Sequence, residues 1–301
     1  MSKNNSPQLL KDTYSSFDGD QFGYTKWGSA KNPKTVIIGI HGINGAAADY
    51  DNFAEHLQKH SPDTTLYALE TRGQGNDLNT RRRGDIYRAE EWYKDLYTFT
   101  RLIRKQHPDA RLIWCGESLG SMIVTHAYAQ RPANEKFCDA IVILAPVVKI
   151  DDQVPGWKIT AAKFIAAIFP RFRVSLNMLS GDDAVKVTQV GDSHEAQAST
   201  NSYYIPKFTL RLLATIGKHI EGMNSKAETF THPVLVINGG NDYFTKPEFV
   251  EEFMQHIPAT TPQKHVHFPE AYHLLMYDEE RDAIFKSITD WLDHPSSRGQ
   301  N

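Results

Sequence analysis

Gly116-Glu117-Ser118-Leu119-Gly120 is the stretch with the clearest capacity for covalent chemistry. It follows the apolar run 111–115 (RLIWC) and opens a helical pattern over 118–130. A serine on a strand-to-helix turn has its hydroxyl projected above the sheet. Residues two before and two after it approach closely, and Gly116 and Gly120 remove side chains that would clash there. The helix starting at Ser118 brings its dipole and free amides to the hydroxyl. A serine hydroxyl is a poor nucleophile until a base takes its proton, and the base needs an acid to orient it.

In strand–turn–helix sites of this kind the chain order is nucleophile, acid, histidine. Asp242 meets the second requirement, after the run 233–238 (PVLVIN) and Gly239-Gly240. His273 meets the third, after 264–268 (KHVHF) and Pro269. Both lie just past strand ends, where open α/β sheets place their sites. Taken singly, Asn241-Asp242 also suits a turn, and His273 also suits an ordinary loop. The three together, in order and each at a strand end, point to nucleophilic catalysis. His265 and His267 share one strand face and read as structural. A tetrahedral intermediate also needs amide donors. Leu119, after the nucleophile, is one expected donor. The loop His41-Gly42-Ile43-Asn44-Gly45, after the run 35–40 (TVIIGI), supplies the other, expected at Ile43. Gly42 and Gly45 do not make the G-x-G-x-x-G of a dinucleotide site, so no such cofactor is expected.

The elements that must position these residues alternate along the chain. Short apolar runs at 35–40, 66–69, 111–115, 139–144, 233–238 and 264–268 suit strands buried on both faces of a parallel sheet. Helical patterns at 47–60, 88–106, 118–130, 246–256 and 278–292 lie between or after them. Trp92, Leu96, Phe99 and Ile103 form one apolar stripe of the second. The alternation predicts an α/β fold with right-handed crossovers. Residues 21–27 (QFGYTKW) alternate like an antiparallel edge strand. Residues 148–227 break the rhythm. They hold a helix candidate at 157–169, with Trp157, Ala161, Phe164, Ile165, Ile168 and Phe169 on one side. A polar stretch, 180–202, and a second helix candidate, 205–220, follow. The expected organisation is a core of 1–147 and 228–301 with 148–227 inserted.

Composition narrows the class. With 33 Lys and Arg against 36 Asp and Glu, the net charge is −3, without the basic excess of a dedicated nucleic-acid binder. The apolar stretch 140–148, which contains Pro146, is far short of the about 20 residues a membrane-spanning helix needs. Two cysteines exclude a disulfide scaffold, and Cys115 inside a strand pattern reads as a reduced core residue. Residues 1–7 are polar and lack the features of a secretory signal, so a cytoplasmic location is expected. Nothing here sets an oligomeric state.

The motifs resemble the α/β-hydrolase fold, and within it the monoacylglycerol lipase and lysophospholipase-like serine hydrolases. His41-Gly42 resembles that family's oxyanion loop, and Gly116-Glu117-Ser118-Leu119-Gly120 its elbow. Glu70-Thr71-Arg72-Gly73-Gln74-Gly75 resembles the family's D-x-R-G-x-G, with Glu70 at the acidic position. Ser121 stands where a second glycine often follows the elbow. Gly239-x-x-Asp242 and Tyr272-His273 fit the acid and base. The resemblance covers about residues 20–293 and is weakest in the insertion. It implies a mostly parallel sheet flanked by helices, and a helical cap over the site at 148–227. It implies hydrolysis of an acyl ester or lipid through an acyl-enzyme, with no metal or cofactor. The same constellation also serves thioesters, amides and carbon–carbon bonds, or survives in a non-catalytic binding protein. The cap helix, with Lys158, Lys163, Arg171 and Arg173 around it, has three readings. It lines an acyl pocket, touches a membrane surface transiently, or packs its apolar face on the core. Arg81-Arg82-Arg83 suits attraction of an anionic head group or a solvated loop, and the expectation is the solvated loop.

Overall fold

A computed structural model describes residues 7–149, 156–175 and 203–295. The polar stretch 180–202 falls wholly outside them, as does the side-chain environment of Trp157, Lys158 and Ala161. The strands are β1 (Gln8–Leu9), β2 (Thr13–Ser15), β3 (Gln21–Trp27), β4 (Thr35–Ile40), β5 (Thr64–Leu69), β6 (Arg111–Glu117), β7 (Ala140–Leu144), β8 (Arg173–Val174), β9 (Phe208–Thr209), β10 (Val234–Gly239) and β11 (Gln263–Phe268). The helices are α1 (Asp51–His60), α2 (Glu90–Gln106), α3 (Leu119–Gln130), α4 (Gly156–Ile168), α5 (Leu210–Ala227), α6 (Pro247–His256) and α7 (Arg281–Asp293).

Nine strands form one sheet in the order β1-β2-β3-β5-β4-β6-β7-β10-β11. From β5 to β11 every pairing is parallel, with Ile38 opposite both Tyr67 and Trp114. This is the α/β fold that the alternating runs predict. The alternation of the strands sorts their side chains between two cores. Val36, Ile38, Leu112, Trp114, Ile141 and Val236 belong to one face, with Trp92, Leu96, Phe99 and Ile103 of α2 packed over it. Ile37, Ile113, Cys115, Val142 and Ile237 belong to the other, covered by Phe53 of α1 and by Ile284, Phe285 and Trp291 of α7.

Several expectations are corrected. β3 is antiparallel, but β2 and β1 extend the sheet beyond it, so it is not an edge. β11 is the edge strand at the opposite end from β1, and its residues are half-buried or exposed rather than enclosed on both faces. α5 starts at Leu210 instead of 205, because Phe208–Thr209 pairs with β8 and the Thr209 hydroxyl accepts from Leu212 N at 3.2 Å. α7 starts at Arg281 instead of 278, since the Asp278 carboxylate is engaged by the amides of Tyr272 and Glu280 at 2.9 and 3.1 Å. Arg82 is not in a solvated loop: it pairs with Asp77 and Asp20 beside the buried Arg72–Asp95 pair.

On α4 the described apolar side chains face mostly outward, which disfavours the reading in which they pack on the core. Ala166 is buried, whereas Phe164, Ile165, Ile168 and Phe169 are 49–67% exposed, and Phe172 beyond the helix is 61% exposed. α4 is held to α5 through Lys163 and Glu221 (2.7 Å). Among the described residues, no helix is long and apolar enough to cross a membrane.

Candidate active site

The carboxyl ends of β4, β6, β10 and β11 converge on one place. Ser118 joins β6 to α3 with φ 53° and ψ −114°, a backbone region that costs about 1–3 kcal/mol for a residue with a side chain. Its surroundings impose that shape. Ser118 N donates to Leu144 O at 3.0 Å. The Ser121 hydroxyl lies 2.7 Å from both Gly116 O and Leu144 O, and so ties the elbow to β7. A Cβ on Gly116 would sit 2.4 Å from the Gly120 carbonyl carbon, and one on Gly120 would sit 1.9 Å from Ile40 O. Neither position has room for a larger residue.

His273 lies between the other two candidates. Its Nε2 is 2.8 Å from Ser118 Oγ and its Nδ1 is 2.7 Å from Asp242 Oδ2. All three side chains are buried. An ionised Asp242 accepts from Nδ1–H, which leaves Nε2 to accept from the serine hydroxyl. Asp242 Oδ1 is occupied separately, by the amides of Phe244 (2.8 Å) and Thr245 (3.3 Å). The loops bearing Asp242 and His273 are stitched together by Asn241 N to Ala271 O (3.0 Å) and Gly240 N to Phe268 O (2.8 Å). The Phe244 ring stands edge-on to His273, centroids 4.7 Å apart. Burial alone would pull the His273 pKa down, but the charge and hydrogen bond of Asp242, with a further contribution from Glu117, hold it above the ordinary value.

The loop after β4 reaches the same place. His41 is fully buried, and its Nε2 accepts from Thr71 N at 3.2 Å. Gly42 faces Ser118, and a Cβ there would lie 3.2 Å from Ser118 Cβ. Among the described residues the amides of Ile43 and Leu119 donate to no protein group. The Glu70 carboxylate accepts from Ala47 N (3.3 Å) and Asn76 N (2.9 Å), joining this loop to the one after β5. His265, by contrast, is engaged away from the site by Asn238 Oδ1 at 2.7 Å. Burial pushes the Cys115 thiol up to about 12, which leaves it inert as a nucleophile.

Sequence reading missed a layer beneath the triad. Glu117, the residue before Ser118, is buried and accepts from Met276 N at 3.3 Å. It thereby holds the His273 loop from below. Burial, reinforced by the charge of Asp49, lifts its carboxyl to about 7. Asp49 in turn accepts from Ala46 N (2.9 Å) and Tyr277 OH (2.9 Å), linking the oxyanion loop to the same His273 loop. The only signal for Glu117 was its place inside the elbow motif. Asp49 and Tyr277, far apart in the chain, carried none.

A charge test follows. His273 acts as a base only when neutral, and a negative Glu117 favours its protonated form. Glu117→Gln keeps an acceptor and removes the charge, so the acid limb of the kcat/KM–pH profile should move to lower pH. An unmoved limb would show that the Glu117 charge does not reach the base.

A family described as serine aminopeptidase, S33 matches residues 31–280, which include all the residues above. The chain belongs to that family. A rat monoglyceride lipase is 22% identical over 282 residues, 92% of this chain and 88% of the rat protein. The structure of a soluble variant of the Saccharomyces cerevisiae monoglyceride lipase, in complex with a substrate analogue, superposes with a TM-score of 0.78 at 20% identity. It covers 97% of this chain and 96% of the yeast one. A thermostable carboxyl esterase from Bacillus coagulans also gives 0.78, at 16% identity, over 97% and 99% of the two chains. Within the family the chain has the α/β-hydrolase fold.

Proposed function

We propose that this family member is a serine hydrolase of carboxylic esters, with monoacylglycerols or similar monoacyl lipids as substrates. The observation that carries the mechanism is the continuous hydrogen-bond chain Ser118–His273–Asp242, at 2.8 and 2.7 Å. The likeness to monoglyceride lipases supports the substrate class. His273 Nε2 takes the Ser118 proton as Oγ bonds to the ester carbonyl carbon. The amides of Ile43 and Leu119 receive the resulting oxyanion, a contribution of about 2.7–4 kcal/mol for one such donor. The tetrahedral adduct collapses, the carbon–oxygen bond to the alcohol breaks, and His273 returns the proton to the leaving oxygen. Water then attacks the acyl-enzyme, gives its proton to His273, and the acid leaves as Ser118 recovers its own. Asp242 keeps the imidazole in the working tautomer and stabilises its charged form.

Residues 148–227 act in this reading as a cap over the site. The outward apolar residues Phe164, Ile165, Ile168, Phe169 and Phe172, with Lys163 and Arg171 beside them, suit contact with a lipid surface. An acyl pocket lined by these five side chains does not suit their exposure.

The test is a substrate series. p-Nitrophenyl esters of increasing chain length, monoacylglycerols, lysophosphatidylcholine and aminoacyl p-nitroanilides are compared. Turnover of the esters and monoacylglycerols well above the anilides is expected, with a fluorophosphonate labelling Ser118. Cleavage of anilides without cleavage of esters would overturn the reading. In parallel, a double variant Phe169→Ser with Phe172→Ser should sediment less with phosphatidylglycerol vesicles while still hydrolysing a soluble short ester. Undiminished sedimentation would remove the cap surface from lipid contact.

A further inference from the structure

Asn44 follows Ile43 in the loop after β4 and has a left-handed backbone, φ 59°. Asparagine is among the few non-glycine residues that take this conformation at small cost. Both its amide groups are committed. The backbone N–H donates to Gln74 Oε1 at 3.2 Å, and the side-chain Oδ1 accepts from Ile205 N–H at 2.7 Å. The second bond joins positions 161 residues apart. It connects the oxyanion loop to the segment by which the insertion returns to the core.

That segment is itself anchored. Ile205 is buried. Arg83 Nη2 donates to Tyr204 O at 3.4 Å, and Thr209 N to Gly84 O at 2.8 Å. Arg173 Nη1 lies 2.7 Å from Arg83 O and 3.2 Å from Lys207 O. The Asn44 side chain therefore ends on a held point. Ile43 immediately precedes Asn44, so a turn of the backbone at 44 carries the Ile43 peptide with it.

We infer that Asn44 is a positioning residue for the Ile43 oxyanion donor, and that the returning segment, through Ile205 N–H, completes the catalytic machinery. This rests on the triad and oxyanion roles proposed above. The insertion then does more than cover the site. Its last stretch before α5 holds the second oxyanion donor in place, while the remainder is left to meet substrate. The physical basis is that an oxyanion amide contributes only when fixed before the charge develops, and a displacement of about 1 Å can cost about a hundredfold in rate.

Asn44→Gly separates the two functions of the residue, because glycine keeps the left-handed backbone and lacks the acceptor. On soluble p-nitrophenyl butyrate, kcat is expected to fall about tenfold with KM within about twofold. The affinity of an alkyl boronic acid, whose serine adduct places an oxygen at the oxyanion site, should fall by about the same factor, since only the transition state uses the donor. Asn44→Ala adds backbone strain and should fall below the glycine variant. Melting of Asn44→Gly within about 4 °C of the parent separates lost positioning from lost fold. Unchanged kcat and boronate affinity in Asn44→Gly would overturn the inference, as would a loss confined to KM. Ser118→Ala runs alongside. If it keeps more than about one per cent of the parent turnover, the triad reading fails and takes this inference with it. If it is inactive while Asn44→Gly is unimpaired, only the positioning role of Asn44 falls.

Discussion

Ser118→Ala is expected to lower ester turnover by about 10⁶-fold, the scale reached when the nucleophile of a serine triad is removed. Without the hydroxyl no acyl-enzyme forms, and His273 has only water to activate. What remains should still exceed the uncatalysed rate by about 10³–10⁴, through the oxyanion amides and substrate binding. The fold should survive. Alanine demands no more room than serine, and the backbone bond from residue 118 to Leu144 O (3.0 Å) does not involve the side chain. The φ of 53° is as costly for alanine as for serine. The stability change should therefore stay within about 1 kcal/mol. The measurements are turnover of a p-nitrophenyl ester, fluorophosphonate labelling and a melting curve. Turnover above about one per cent of the parent, with an intact fold, would assign the chemistry to another group.

Asp242→Asn should cost about 10⁴ in kcat near neutral pH, with the fold retained, as when the acid of a triad becomes its amide. The hydrogen bonds show how. Asp242 Oδ1 accepts from two amides, Phe244 N at 2.8 Å and Thr245 N at 3.3 Å. An asparagine must place its single carbonyl oxygen there, because an NH₂ group facing two N–H donors would be repelled. Its NH₂ then faces His273 Nδ1, where the carboxylate oxygen stood 2.7 Å away. The imidazole must accept at Nδ1 and so carry its proton on Nε2, toward Ser118. In that tautomer it cannot take the serine proton. The variant also loses the charge that holds His273 above its ordinary pKa, so any residual activity should extend to lower pH than in the parent. A loss of less than about tenfold would remove Asp242 from the triad.

These arguments draw on features of different legibility. The parallel sheet was readable because its strands are covered on both faces, which writes continuous apolar runs into the chain. Their alternate residues then divide between two cores, as Ile37 and Ile38 do. The order of Ser118, Asp242 and His273 was readable because each follows such a run. The start of α5 was not, since Thr209 could be recognised as a cap only once β9 had paired with β8. The face of α4 stayed open among several readings for a related reason. Its apolar side chains satisfy a helical period whether the partner is the protein or something outside it, and only the packing shows that Phe164 and Ile168 point outward.

The amino-acid sequence by itself determined what is local: the strand runs, the glycines that an elbow with 1.9–2.4 Å clearances demands, and the placing of Ser118, Asp242 and His273 at three strand ends. The tertiary structure decided what depends on elements distant in the chain lying side by side. It set Glu117 under the His273 loop, Tyr277 against Asp49, and Ile205 on Asn44. The physical reason is one of range. Burial and backbone sterics act within a few residues and leave a periodic trace. A hydrogen bond between residues 44 and 205 depends on how the sheet orders its strands and where the insertion returns.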